Sequence, residues 1–157
     1  MERVIENSRT GERIVIRQSA SEDVFVFDLF LQPGGHVPAG HTHPHQHERF
    51  QIKAGQLTFR INGRMLLARP GDVISIPPGT PHWFGNNGES VAELCVEVRP
   101  PLRMEALLET SASRRRLADR ALIPLEFQAE LGIPNVPAFL IRWLLTPLVW
   151  ARPLLTR

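Results

Sequence analysis

The sequence predicts a mainly β protein with a short helical extension at its C-terminal end. Short runs of β-branched and aromatic residues recur between residues 12 and 98, and glycine and proline separate them. The composition changes after residue 101, where helical spacing replaces strand alternation. At 157 residues, the chain is long enough to bury one core. We therefore predict an antiparallel barrel or sandwich, with a domain at residues 1–100 and an extension at 101–157.

The predicted strands follow from local patterns taken in chain order. The run from Glu48 to Lys53 alternates strictly, so Glu48, Phe50 and Ile52 share one face. Asn62-Gly63 is a strong hairpin turn between two further runs. The predicted strands are Arg13–Arg17, Val24–Leu31, Glu48–Lys53, Leu57–Ile61, Met65–Leu67, Val73–Ile76, His82–Phe84 and Val91–Val98.

The extension is predicted to form short helices. Residues 102–110 have helical spacing, and a linker rich in serine and arginine follows. A second helix is predicted at 124–131, where proline suits the first turn and Gly132 the stop. The apolar segment 136–155 is interrupted by prolines, and Thr146-Pro147 resembles a helix start, so two short helices are expected there.

Charge and cysteine content restrict the class of protein. The net charge is +2, and the excess of basic residues lies in the extension, not on an aromatic-rich basic face. We therefore expect no nucleic-acid partner. Cys95 is the single cysteine, and the first residues contain no apolar signal core. Both observations favour a cytoplasmic location.

The segment from His41 to Glu48 holds four of the six histidines and a carboxylate. Neutral imidazole and ionised carboxylate are common ligands of divalent metals. His41 and His43 share a face in extended chain, and a break at Pro44 lets Glu48 begin a new strand and turn inward. A fourth ligand must come from elsewhere, and His82, after a proline-rich turn, is well placed.

Two motifs in this chain resemble those of the cupin family. The first has Gly35, His41, His43, Glu48 and Gly55, and the second has Gly71, Pro77, Gly79, His82 and Asn86. The resemblance spans roughly residues 24–98. It implies a single small β-barrel, or jelly roll, with a metal near its mouth held by His41, His43, Glu48 and His82.

The donor set is compatible with one divalent ion, namely Fe, Mn, Ni or Zn. Together with a divalent ion, three neutral imidazoles and one carboxylate give a net charge of +1 at the site. An octahedral shell keeps two positions open. His45 and His47 are expected at the rim or behind the ligands, although a shifted site using them stays open. Cys95 is expected on the outer face. Inward residues near the ligands predict an apolar substrate pocket, formed by Phe50, Ile52, Phe59, Ile76 and Phe84.

Three functions are consistent with these features. The first is a mononuclear metal enzyme that resembles cupin dioxygenases and acts on a small apolar or aromatic molecule, with Glu48 also acting as a base. The second is a metal-dependent cyclase or isomerase resembling polyketide-cyclase cupins. The third is a non-enzymatic module that binds or senses a small molecule, since fold alone does not decide function.

The segment 133–157 has three candidate roles. It can cap the barrel, pack on a second subunit, or rest on a membrane surface through Phe139, Trp143 and Trp150. We expect packing on the barrel or in a homodimer, because short helices broken by proline bind bilayers weakly.

Overall fold

The computed structural model describes residues 3–19, 23–37 and 39–155. These residues form nine strands in two antiparallel sheets. One sheet has the strand order β1-β2-β3-β9-β4-β7, and the other has the order β6-β5-β8. The strands are β1 Arg3–Asn7, β2 Glu12–Gln18, β3 Phe25–Leu31, β4 His47–Ala54, β5 Leu57–Ile61, β6 Arg64–Ala68, β7 Val73–Ile76, β8 His82–Gly85 and β9 Ala92–Arg99.

The core lies between the two sheets. Phe50 from the larger sheet meets Phe59 and Phe84 from the smaller one, with ring centroids 5.2–5.4 Å apart. Each of these rings is nearly inaccessible to solvent, and aromatic packing of this kind adds to the stabilisation from apolar burial. The predicted mainly β fold is confirmed.

Most predicted strands lie within a residue or two of their observed bounds, and β5 and β7 match. β1 was not predicted, because Arg3–Asn7 has two apolar residues among charged and polar ones. It pairs with β2 at the edge of the larger sheet. Its position is fixed from outside the sheet, since Arg3 forms ion pairs with Glu105 and Glu109 of the extension.

The turn after β4 requires glycine. Gly55 has a φ of +74°, and a Cβ there would lie 2.7 Å from the Cα of Ala92. Any side chain would therefore strain the turn and collide with β9. This close approach holds the end of β4 against β9, and β4 carries Glu48 at its other end.

Four helices follow the strands: α1 Met104–Ser113, α2 Leu117–Ala121, α3 Ile123–Glu126 and α4 Ala138–Leu155. The predicted linker thus contains a helix, α2. The helix predicted at 124–131 is shorter, because Phe127 leaves the helical region with φ −117° and ψ 45°. Its side chain is buried in the core, and turns continue the chain.

The prediction of two helices in the segment 136–155 was wrong, because α4 is continuous through Pro147. Thr146 does not cap a new helix. Its hydroxyl donates to the Arg142 carbonyl at 2.5 Å, one turn earlier in the same helix. An interior proline removes one backbone hydrogen bond at a cost of about 3 kcal/mol, which local adjustment can accommodate.

The extension packs against the barrel. Met104, Leu107, Ile123 and Phe127 belong to the same buried cluster as the strand residues. The predicted domain boundary at residue 100 stays a prediction. One buried cluster contains residues from both sides of it. None of the helices in the described part of the chain has the length and hydropathy needed to cross a bilayer.

Candidate metal centre

Two short backbone bridges bring the histidines together. The His41 N–H donates to the His82 carbonyl at 3.0 Å, and the His82 N–H donates to the His41 carbonyl at 2.9 Å. This pairing sets the two imidazole rings side by side, with centroids 4.4 Å apart. His43 lies on the same side as His41, 4.8 Å from it between ring centroids, as the spacing of two residues predicts.

Three of the predicted ligands, the histidines, form a cluster, and Glu48 contacts two of them. One ring nitrogen from each of His41, His43 and His82 lies within 4.8 Å of the others. Oε2 of Glu48 lies 3.4 Å from Nε2 of His43 and 3.0 Å from Nε2 of His82. Glu48 turns inward because β4 begins at His47, after the break at Pro44.

The fold sets the tautomer of all three histidines. Nδ1 of His41 contacts the Ala39 carbonyl at 2.9 Å, Nδ1 of His82 contacts the Thr80 carbonyl at 3.0 Å, and Nδ1 of His43 contacts the Glu130 carbonyl. A carbonyl only accepts, so each Nδ1 carries the proton. Each Nε2 therefore keeps its lone pair available for a metal.

Burial and the neighbouring side chains shift the pKa of three residues of the centre. Burial, together with the neighbouring His43 and His82, lowers the pKa of His41 to about 3. Burial would raise the pKa of Glu48, but His43 and His82 lower it to about 2, so the carboxylate stays ionised. Burial opposes protonation of His82, yet the Glu48 carboxylate raises the pKa of His82. The carboxylate thus favours positive charge at this point.

Two buried atoms at the centre lack a hydrogen-bond partner. Among the described residues, Oε2 of Glu48 and Nε2 of His82 have no hydrogen bond, although they are 3.0 Å apart. Leaving such groups unsatisfied costs free energy, on the order of 1–3 kcal/mol each. Both atoms offer lone pairs, and a cation between them would satisfy both. Three imidazole nitrogens and a carboxylate oxygen fit a divalent transition metal.

The centre opens into a cavity of about 400 Å³ with mostly apolar walls. Of the predicted pocket residues, Phe50 and Phe84 line this cavity. Ile52, Phe59 and Ile76 do not, so these three predictions are corrected. All three are buried in the core. Ile52 shares the inward face with Glu48 and Phe50, but it lies farther along β4 from the metal end.

The other histidines of the octet lie away from the centre. His45 is exposed, and Nε2 of His47 contacts the Ser75 hydroxyl at 2.7 Å, on the opposite face of β4 from Glu48. Backbone carbonyls, not these histidines, hold the ligand rings. Cys95 lies on the outer face of β9, where burial and the charge of Asp28 raise the pKa of its thiol.

Sequence reasoning did not anticipate that the extension forms part of the centre. The Glu130 carbonyl accepts a hydrogen bond from Nδ1 of His43, which lies 87 positions earlier in the sequence. Nearby, Thr42 and Gly132 exchange two backbone hydrogen bonds of 3.0 and 2.8 Å. The Glu130 carboxylate is buried and accepts the Arg103 backbone N–H at 3.1 Å. A backbone carbonyl has no sequence signature, so no motif could have revealed this support.

Polar residues of the cavity wall were also missed. Glu12 lines the cavity, and its Oε2 accepts hydrogen bonds from Thr10 at 2.5 Å and Asn7 at 3.2 Å. Burial raises the pKa of Glu12 above its usual range. Arg9 and Arg120 also contribute to the wall. The sequence offers no alternation at this point, and only the strand period of two places Glu12 on the face of the inward residue Ile14.

Comparisons with known proteins agree with this fold and centre. Residues 27–98 match the family described as Cupin domain. Acireductone dioxygenase from Alcanivorax borkumensis is 43% identical over 47 residues, which cover 28% of this chain and 26% of that protein. The match thus spans about a quarter of that relative's length.

Solved structures show the same fold. A cupin domain from Schizosaccharomyces pombe superposes with a TM-score of 0.55 and 13% identity, covering 62% of this chain and 67% of its own. KdgF from Halomonas sp. has a TM-score of 0.55 and 17% identity, covering 61% and 84%. The family match over residues 27–98 and these superpositions agree on a cupin-like fold.

Proposed function

We propose that this cupin-like protein is a mononuclear metal enzyme that acts on a small, largely apolar organic molecule. His41, His43, His82 and Glu48 would hold one divalent ion, with Fe, Mn, Ni and Zn as candidates. The observation that carries the proposal is the set of unpartnered Nε2 and Oε2 atoms at the end of an apolar cavity. When bound, the ion would supply Lewis-acid activation or, if redox-active, activation of dioxygen.

The chain's own residues would prepare this chemistry. The three carbonyl contacts fix the Nδ1–H tautomer and orient the imidazole rings, so the rings need not reorient when a metal binds. Phe50 and Phe84 exclude water from the wall beside the ligands. Glu48 balances positive charge at the centre, and its carboxylate could also act as a general base if it leaves the ion when substrate binds.

A dioxygenase-like reaction is the leading candidate. It is supported by the partial likeness to acireductone dioxygenase, which is limited to 47 residues, and by a donor set that suits iron.

A redox-neutral cyclase or isomerase is the second candidate, and Glu12 favours it. This carboxyl lines the cavity but is not among the proposed ligands. Burial raises its pKa, which favours the protonated form and suits a carboxyl that donates a proton. In this case Glu12→Gln should lower turnover strongly while metal content stays unchanged. For a dioxygenase, the same variant should have a much smaller effect on turnover.

Elemental analysis of the purified protein tests the metal centre. We expect about one equivalent of a transition metal per chain, and loss of that metal in His82→Ala. His45→Ala is the matched control, because His45 is exposed and outside the centre. Wild-type protein without metal, and without uptake after incubation with Fe(II), Mn(II), Ni(II) and Zn(II), would contradict the proposal.

Turnover assays then separate the reaction classes. Metal-loaded protein is mixed with an acireductone, a catechol and a flavonol while oxygen consumption and substrate loss are recorded. Substrate loss coupled to oxygen uptake, absent in His82→Ala, supports the dioxygenase. Substrate loss without oxygen uptake supports the cyclase or isomerase. Saturable binding of these compounds without any conversion would contradict an enzyme and favour a non-enzymatic binding module.

A further inference from the structure

The cavity wall carries a cation without a counter-charge. Arg120 lies in α2, and Leu117, Arg120, Ala121 and Pro124 all line the cavity at helical spacing. Its Nε is buried and has no hydrogen-bond partner among the described residues. Within that same part of the chain, no acidic side chain forms an ion pair with it.

The other charged groups of the wall are already engaged. Arg9 donates to the Ser111 carbonyl at 2.6 Å. Glu12 accepts from Thr10 and Asn7, and the charge of Arg9 acts on it. Glu48 faces the imidazoles of His43 and His82. Among the described residues of the wall, Arg120 is therefore the cation with a buried donor that lacks an acceptor.

A guanidinium in the wall of an apolar cavity favours a carboxylate as its ligand. A guanidinium carries parallel N–H donors that match the two oxygens of a carboxylate. Because the surrounding wall is mostly apolar, the attraction is weakly screened and a buried donor without an acceptor is unfavourable. The remainder of the cavity, about 400 Å³, suits a small apolar body.

We propose that the substrate is an organic acid whose apolar body fills the cavity and whose carboxylate pairs with Arg120. This inference rests on the proposed function, because it assigns the substrate class of the same cavity. It makes Arg120 a specificity-determining residue of the extension, separate from the metal ligands. The carboxylate end would then fix which other part of the molecule reaches the metal.

The test compares 4-phenylbutyrate with 4-phenylbutanol, which differ only in the anionic group. Calorimetric titration of chelator-treated wild-type protein should show a preference of about 10-fold or more for the acid. Arg120→Met keeps the length of the side chain and should remove the preference by weakening acid binding alone. Arg116→Met, on the exposed residue before α2, is the control and should keep the preference.

Metal-free conditions separate this inference from the proposed function. With metal present, the carboxylate of the acid could bind the metal directly. His82→Ala should retain the preference for the acid over the alcohol, because that preference depends on Arg120 and not on the metal. An equal affinity for acid and alcohol in the wild type, or a preference that persists in Arg120→Met, would overturn the assignment. Thermal unfolding of each variant verifies that the chain is folded during the titration, and Arg120→Ala provides a second variant if Arg120→Met is unfolded.

Discussion

At the scale of residues, the centre depends on three carbonyls from separate parts of the chain. The carbonyls of Ala39, Thr80 and Glu130 each accept a hydrogen bond from Nδ1 of a different imidazole. Because these acceptors belong to the backbone, no side-chain substitution removes them directly. The orientation of each ligand is therefore a property of the fold, and only changes that move the backbone should disturb it.

Asp28 shows how a buried charge is stabilised outside the centre. Its side chain lies on the outer face of β3 and is 2% exposed, with Arg17 at 2.5 Å and Lys53 at 3.1 Å. Burial would raise the pKa of Asp28, but hydrogen bonds from Arg17 and Lys53 lower it below the usual 3.8. The unfolded chain therefore takes up this proton first when the solution is acidified.

We predict that Asp28→Asn lowers the free energy of unfolding by about 1–2 kcal/mol at neutral pH, a figure reduced by the exposure of both partners. The difference in free energy of unfolding between variant and wild type should shrink as the pH falls below about 4. There Asp28 of the wild type becomes protonated and its stabilising contribution disappears. Urea unfolding at several pH values measures both effects. Glu89→Gln, on an exposed loop residue, is the control. A difference that does not vary with pH would contradict this account.

The candidate ligand residues could be found in the sequence because histidine and glutamate at fixed spacings are rare in combination. Asn86 could be predicted only as a motif position. In the structure its amide donates to the Leu31 and Ser90 carbonyls, both at 2.8 Å, so its role is to hold loops together. Arg120 could not be predicted as a cavity residue, because an arginine in a polar helix normally faces solvent.

At the scale of elements, strand alternation was the dependable guide. It places Phe50 beside the ligands and Cys95 outside, as observed. The extension was less predictable, because its contacts with the barrel, not local propensity, decide where its helices end. Phe127 ends α3 by entering the core, and Thr146 shows that a threonine before proline need not begin a helix.

The backbone pairing of Thr42 with Gly132 joins the segment of His43 to the extension, and the orientation of the His43 ring depends on it. A Cβ at Gly132 would collide with the Thr42 hydroxyl and lie 3.4 Å from Pro44. We predict that Gly132→Val separates the two segments and withdraws the nearby Glu130 carbonyl from His43. Metal affinity should fall about 10- to 100-fold, as is usual when the support of a ligand is lost.

Competition titration with a chromophoric zinc chelator measures this affinity. Asn135→Gly is the matched control in the same loop, where Asn135 is exposed and has a φ of +63°, so glycine should fit without strain. If Gly132→Val folds and binds zinc as tightly as the wild type, the extension does not support the centre.

At the scale of the whole molecule, one core extends from the barrel into the extension, while part of α4 stays outside it. Ile141 faces inward and is buried. Phe139, Leu140, Trp143 and Leu144 occupy an outward face at helical spacing, and Trp143 is 74% exposed. An apolar face of this kind usually meets a partner. A second apolar surface occurs on the edge strand β6, where Met65 is 64% exposed.

We propose that the protein forms a homodimer in which the outward faces of α4 pack on each other around a two-fold axis. Light scattering after gel filtration should give twice the chain mass for the wild type. The double variant with Phe139→Glu and Trp143→Glu should give the chain mass, because charges would then face each other in an apolar interface. Met65→Glu is the control and should remain a dimer. If Met65→Glu alone separates the subunits, the interface lies at β6. If the wild type is a monomer and floats with anionic phospholipid vesicles, α4 binds a membrane surface instead.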